Sequence, residues 1–151
     1  MEFKQKIQED FVKAMKEKNE IAKMAISSLK SQILIAEKSL GSKGVNQETF
    51  WTIVSKMITQ RKESAQIFLD AKREDLYKNE MNQIEFLSSY LPEQMSGEEV
   101  KEELQKILQN MIGSNLPPAA KRGKALGEFN RNFRGRCDLE LVSSILNEII
   151  G

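Results

Sequence analysis

The 151-residue sequence contains no histidine, one cysteine and three prolines. Without histidine there is no Ser-His or Cys-His nucleophile and no imidazole base. One cysteine and no histidine also exclude zinc sites of the Cys/His kind. Cys137 has no partner for an internal disulfide, which fits a reducing compartment. No apolar run approaches the roughly 20 residues of a membrane span. No secretory apolar region follows Met1, because charges separate Phe3, Ile7 and Phe11. These absences lead to the expectation of a cytoplasmic protein with no membrane contact. An excess of one charge is missing too: 23 Lys and Arg face 22 Asp and Glu, leaving +1. A protein that coats nucleic acid along its whole surface is thereby excluded, and any such contact must be local.

Nucleotide and metal signatures are absent as well. Gly123-Lys124 is followed by Ala125 and lacks the loop glycine of a phosphate-binding P-loop, and there is no G-x-G-x-x-G. No acidic cluster has the spacing of a calcium loop. The pairs Glu98-Glu99 and Glu102-Glu103 sit at a helix start, where capping and dipole effects explain them better than acid–base chemistry. No cofactor, no metal and no catalytic residue is expected.

What is present is helical. A chain of this length can bury roughly 70% of its unfolded surface without a metal or disulfide, in one or two small domains. Its 40% hydrophobic and 30% charged residues fit a helical protein. Phe3, Ile7, Phe11, Ala14 and Met15 make one apolar stripe, and Ala22, Ala25, Ile26, Leu29, Ile33 and Ala36 a second; the polar run from Lys16 to Glu20 parts them. Residues 39–46 form a loop with two glycines, and Asn46 is suited to cap a third helix that buries Phe50, Ile53, Val54, Met57, Ile58, Ala65 and Phe68. Between Asn46 and Pro92 there is neither glycine nor proline. One helix that long is unusual, so two antiparallel helices breaking near Ala71 to Asp75 are expected. The second would bury Leu76, Tyr77, Met81, Ile84, Leu87 and Leu91 and end before Pro92. Arg61 falls on the inner side of the third helix; its stem is expected to pack while its head reaches the rim or pairs with an acid of a neighbouring helix.

Leu91-Pro92-Glu93-Gln94-Met95 reads as a boundary between an N-terminal helical domain, 1–95, and a C-terminal domain, 96–151. Ser96-Gly97-Glu98-Glu99 is a capping box opening a fifth helix with Val100, Leu104, Ile107, Leu108 and Met111 inside, which Gly113 would close. A sixth helix covers about 119–132. Asp138 would cap a seventh, carrying Leu141, Val142, Ile145, Leu146 and Ile149. The expected fold is all-α: N-terminal helical hairpins or a bundle with long helices, then a small three-helix C-terminal tail.

Residues 119–138 (AAKRGKALGEFNRNFRGRCD) concentrate the positive charge. Lys121, Arg122, Lys124, Arg131, Arg134 and Arg136 stand against Glu128 and the terminal Asp138, with Gly123, Gly127 and Gly135 among them. Cations beside accessible backbone N–H groups suit phosphate. A solvated basic helix with glycines for close helix packing is the alternative, and packing is the preferred role for the glycines. Phe129 and Phe133 are few for base stacking and can serve as core.

Several of these residues together resemble a family. Leu91-Pro92-Glu93-Gln94 followed by Ser96 and Glu99, then Gly123-Lys124, Gly127 and Gly135-Arg136-x-Asp138, with Gln60-Arg61-Lys62-Glu63-Ser64 and Arg73-x-Asp75-Leu76 upstream, are similar to the YqeY-like proteins, stand-alone relatives of the C-terminal tail of the GatB subunit of glutamine-dependent aspartyl/glutamyl-tRNA amidotransferase. The resemblance spans nearly the whole chain. It implies the family label of carbon–nitrogen ligase with glutamine as amide donor, but supplies no catalytic site for it. It implies a tRNA-binding module in which Lys124 and Arg136 contact phosphates and Lys121, Arg122, Arg131 and Arg134 add charge, acting alone or with an amidotransferase or aminoacyl-tRNA synthetase. A subunit role in amidation and a protein-interaction adaptor using the long N-terminal helices are the other two readings. Cys137 stands where the family pattern leads one to expect a small residue, which implies a packed, unreactive thiol.

Overall fold

The computed structural model describes residues 2–150, and all their regular structure is helical. The chain divides into two compact units, Met1–Leu91 and Pro92–Gly151. The division falls four residues before the boundary read from the sequence, because the segment after Leu91 is held by the second unit.

The first unit comprises α1 (Glu2–Glu17), α2 (Glu20–Leu40), α3 (Gln47–Asp70) and α4 (Glu74–Ser88), with a 3₁₀ turn at Gly41–Lys43. Its core is built from Phe3, Ile7, Ile26, Leu29, Phe50, Val54, Ile84 and Leu87 and their neighbours. Phe3 stacks on Phe50 at 4.4 Å between ring centroids, and Tyr90 meets Phe50 edge-on. The buried Tyr90 hydroxyl donates to Asp10 Oδ2 at 2.7 Å, tying the chain after α4 to α1. Asn46 caps α3, accepting the Thr49 N–H at 2.8 Å.

Two of the three helix breaks here, α1–α2 and α3–α4, use the same device. Lys18 and Lys72 adopt left-handed φ values of 57° and 59°. In each case the next residue donates its N–H back five residues: Asn19 to the Ala14 carbonyl and Arg73 to the Phe68 carbonyl, both at 2.9 Å. This is the helix-ending pattern that glycine usually serves. It places the α3–α4 break at residues 71–73, inside the expected window. Met15 and Met81, expected inside, are exposed.

The second unit comprises α5 (Gly97–Gln109), α6 (Pro118–Asn132) and α7 (Leu139–Ile150), each packed on the other two. Met95, Val100, Leu104, Ile107, Ala125, Phe129, Val142 and Leu146 form its core. The Ser96–Glu99 capping box closes reciprocally, and Asp138 Oδ1 accepts the Glu140 N–H at 3.1 Å at the start of α7. Two expectations shift. α5 ends at Gln109, and the left-handed Gly113 closes the irregular turn that follows rather than the helix. Leu141 lies outside the core, because Val142 and Leu146 already fill the inner face of α7.

Candidate nucleic-acid interface

The basic stretch folds as α6 and the turn after it, and this geometry divides the nine candidate residues into three groups. Ala125 and Phe129 set the inner face of α6. Lys124, Gly127 and Arg131 recur at spacings of three and four and line the outer side over about 10 Å of helix, while Lys121, four residues before Ala125, stands at the border of the inner face. Lys124, Arg131 and Gly123 are exposed, and Lys121 is half-buried. Among the described residues no ion pair engages any of these three cations. Glu128, half-buried, lies on the same side and partly offsets them.

Gly123 and Gly127 of α6 are not packing positions within the second unit. A Cβ added at Gly123 would meet nothing within 4 Å, and one at Gly127 would meet only the Arg131 guanidinium at 3.8 Å. Glycine inside a helix costs about 1 kcal/mol relative to alanine. Neither position recovers that cost by close helix contact, which corrects the packing role preferred from the sequence.

Arg122 belongs to the second group. It turns toward the inner side, half-buried, with its Nε covered and without a hydrogen-bond partner. Lys121 and Arg122, four and three residues before Ala125, flank the Ala125–Phe129 face on its two sides.

The turn residues Arg134, Gly135 and Arg136 form the third group. Gly135 has φ 79°, a left-handed conformation that suits glycine. Its carbonyl accepts Gln94 Nε2 at 2.8 Å. Arg136 donates Nε–H to the Glu93 carbonyl at 3.0 Å, and its own carbonyl accepts the Met95 N–H at 2.8 Å. Its guanidinium stands 6.0 Å from the Phe133 ring centre. Arg136 is therefore a clamp on residues 93–95, a role its position in the sequence did not show. The hydrogen bonds from Ser96, and secondarily the Arg136 charge, hold the Glu99 carboxyl below its ordinary value.

Phe129 is 1% exposed and so closed to base stacking, while Phe133 packs against it and is half-buried. Cys137 is half-buried; burial, and then the Asp138 carboxylate, push its thiol above the usual range. A raised thiol is a poor nucleophile. The second unit carries eight Lys and Arg against nine Asp and Glu, so attraction to an anion must come from the α6 stripe and not from net charge.

In the first unit, Arg61 pairs with Glu80 of α4 at 3.3 Å, as its inward position led one to expect, and also donates to Ser28 Oγ at 3.2 Å. Among the described residues, no helix is long and apolar enough to cross a membrane.

A family model described as Yqey-like protein matches residues 4–150. Three curated relatives carry the same description, "Altered inheritance of mitochondria protein 41, mitochondrial". The one from Saccharomyces cerevisiae (strain YJM789) is 37% identical over 82 residues, 54% of this chain and 44% of that protein. This chain thus matches less than half the length of that relative. The Kluyveromyces lactis protein is 33% identical over 127 residues, 82% of this chain and 67% of its own. The Pyrenophora tritici-repentis protein is 26% identical over 148 residues, 97% of this chain and 80% of its own. These relatives are named as mitochondrial, which overturns the cytoplasmic expectation. A lone cysteine argues for a reducing environment and never distinguished one reducing compartment from another.

Proposed function

The chain belongs to the Yqey-like protein family, and on that premise we propose that it is a tRNA-binding helical module without a complete catalytic site of its own. Lys124 and Arg131 on the outer side of α6, with Lys121 at its border, contact backbone phosphates, and Gly123 and Gly127 let the RNA backbone come close to the helix. The first unit is read as a helical bundle and the second as the tail that carries the contact surface. An amidotransferase or an aminoacyl-tRNA synthetase is the partner class that the likeness to the amidotransferase tail suggests.

The observation that carries this reading is the pair of helix-interior glycines that no packed neighbour requires, Gly123 facing open space and Gly127 only the Arg131 guanidinium, flanked by cations that form no ion pair among the described residues. A stability-driven helix would place alanine there. With Phe129 buried and Phe133 half-buried against it, recognition rests on shape and phosphates more than on bases. Binding of tRNA measured across a salt series tests it, since phosphate contacts release counterions and weaken as salt rises.

A second reading, a protein-interaction adaptor, draws on Ile67 and Leu69, exposed near the end of α3, with Ile67 at 65%. An adaptor would bind its partner equally well after the α6 cations are removed.

A further inference from the structure

The first unit contains a polar cleft that the α6 reading does not use. It has a volume of about 380 Å³ and is lined by Met24 and Ser28 of α2, Arg61 and Phe68 of α3, and Leu76, Asn79, Glu80 and Gln83 of α4. That is the lower end of the range for small-molecule sites. Arg61 forms a wall shared with a smaller neighbouring cleft.

Two features set this cleft apart from an ordinary helix interface. Gln83 is only 2% exposed; its Nε2 donates to Asn79 Oδ1 at 2.6 Å, while its Oε1 has no hydrogen-bond partner. Arg61 uses its two terminal nitrogens on Glu80 and Ser28, while its covered Nε has none. Buried polar groups are nearly always paired, so one donor and one acceptor left over beside the same cleft point to a partner from outside the chain. The Arg61–Glu80 contact is single and 3.3 Å long, longer than a close charge-assisted bond. Both leftover atoms are covered, so a ligand reaches them by turning the Arg61 guanidinium and the Gln83 amide, and the long Glu80 contact is the bond that such a turn gives up.

The chemistry of the partner follows from the groups. Glu80 neutralises Arg61, so the site does not favour an anion. The leftover Nε–H needs an acceptor and the leftover Oε1 needs a donor. The Asn79 amide nitrogen supplies a second donor. Donor, acceptor and donor complement a C=O, N–H, C=O edge. Met24, Phe68 and Leu76 supply apolar surface for the faces of a flat ring. We propose that this cleft binds a neutral planar heterocycle with an imide edge, the edge that uracil presents, either as a free nucleoside or as a base in a single-stranded RNA.

The test is an NMR titration of the full chain with uridine, with 3-methyluridine and with a short oligouridylate, reading the Arg61 Nε–H and the Gln83 side-chain amide. Uridine or the oligomer should shift both signals saturably by about 10 mM ligand, and 3-methyluridine, which lacks the imide N–H, should not. Movement with free uridine assigns a nucleoside, and movement with the oligomer alone assigns a base within RNA. Arg61→Lys keeps the charge but loses Nε, and Gln83→Met keeps the volume but loses the amide; each should weaken binding about tenfold or more. If these variants fail to fold, the comparison of uridine with 3-methyluridine on the unaltered protein still decides. Unmoved Arg61 and Gln83 signals with both uridine and the oligomer, or equal shifts with the methylated nucleoside, would overturn the proposal. Binding of RNA at α6 leaves these two signals unchanged, so the two sites are read separately.

Discussion

Arg136 donates its Nε–H to the Glu93 carbonyl while its own carbonyl accepts the N–H of Met95, so one residue holds the chain segment that enters the second unit at both ends. Removing the side chain as Arg136→Ala should destabilise the second unit by about 1–2 kcal/mol, through the absence of one charge-assisted hydrogen bond and of cover on Phe133. Lysine should not restore it, because its ammonium cannot reproduce the planar guanidinium fork. Hydrogen exchange at the Met95 amide reads the effect directly: faster exchange in both variants is expected, and unchanged protection in Arg136→Ala would remove the clamp from the account.

Gly123→Ala and Gly127→Ala should each stabilise the protein, because the added methyl meets open space or ordinary contact. The gain should be about 1 kcal/mol per site, or roughly 4–8 °C in the melting temperature of a unit this small. The same substitutions should weaken tRNA binding. Stabilisation with tighter or unchanged binding would show that the glycines serve neither packing nor close approach.

Tyr90 gives an alkaline signature. Burial, and then its bond to Asp10, raise the phenol above its ordinary value near 10. A group raised in the folded state contributes stability that is complete below the unfolded value and is lost as pH climbs toward the folded one. Stability should therefore fall above about pH 10, and the part due to Tyr90 should be missing in Tyr90→Phe, which should also cost about 1–2 kcal/mol at neutral pH because the bond to the carboxylate is gone. Denaturant unfolding at pH 7 and pH 11 checks both; identical pH slopes in the two proteins would contradict the assignment.

Glu99 gives the opposite sign. Hydrogen bonds from Ser96 hold its carboxyl below the ordinary value. Its contribution is present above the unfolded value near 4.3 and is lost as pH falls through the folded one. Ser96→Ala should move the Glu99 titration, followed by NMR, part of the way back toward the ordinary carboxylate range, because the hydroxyl is removed while the backbone N–H bond to the carboxylate stays. No change would mean that the capping box does not form in solution.

Much of the fold was legible because the signals were strong. Phe50, Val54, Met57 and Ala65 mark the inner face of α3 by spacing alone, and Ser96 with Glu99 marks the start of α5. The α3–α4 break was hard to place because Lys72 occupies the left-handed position that glycine would advertise. Met15, Met81 and Leu141 are apolar at positions where the core was already filled by neighbours, which periodicity does not reveal. Of the candidate site, the concentration of cations was visible. Its division was not, because Arg122 differs from Lys121 only in which edge of the inner face it flanks, and Arg136 is claimed by the Glu93 carbonyl, 43 residues earlier in the chain.

The most direct test of the central claim is tRNA binding by fluorescence anisotropy across a salt series, for the unaltered protein and for Lys124→Ala/Arg131→Ala. Both residues are exposed, so the folded state should survive their removal. Affinity should fall as salt rises, and the log–log slope should shrink by about two in the double variant, about one for each phosphate-binding cation removed. No binding at low salt, or a double variant that binds with the same affinity and slope, would contradict it.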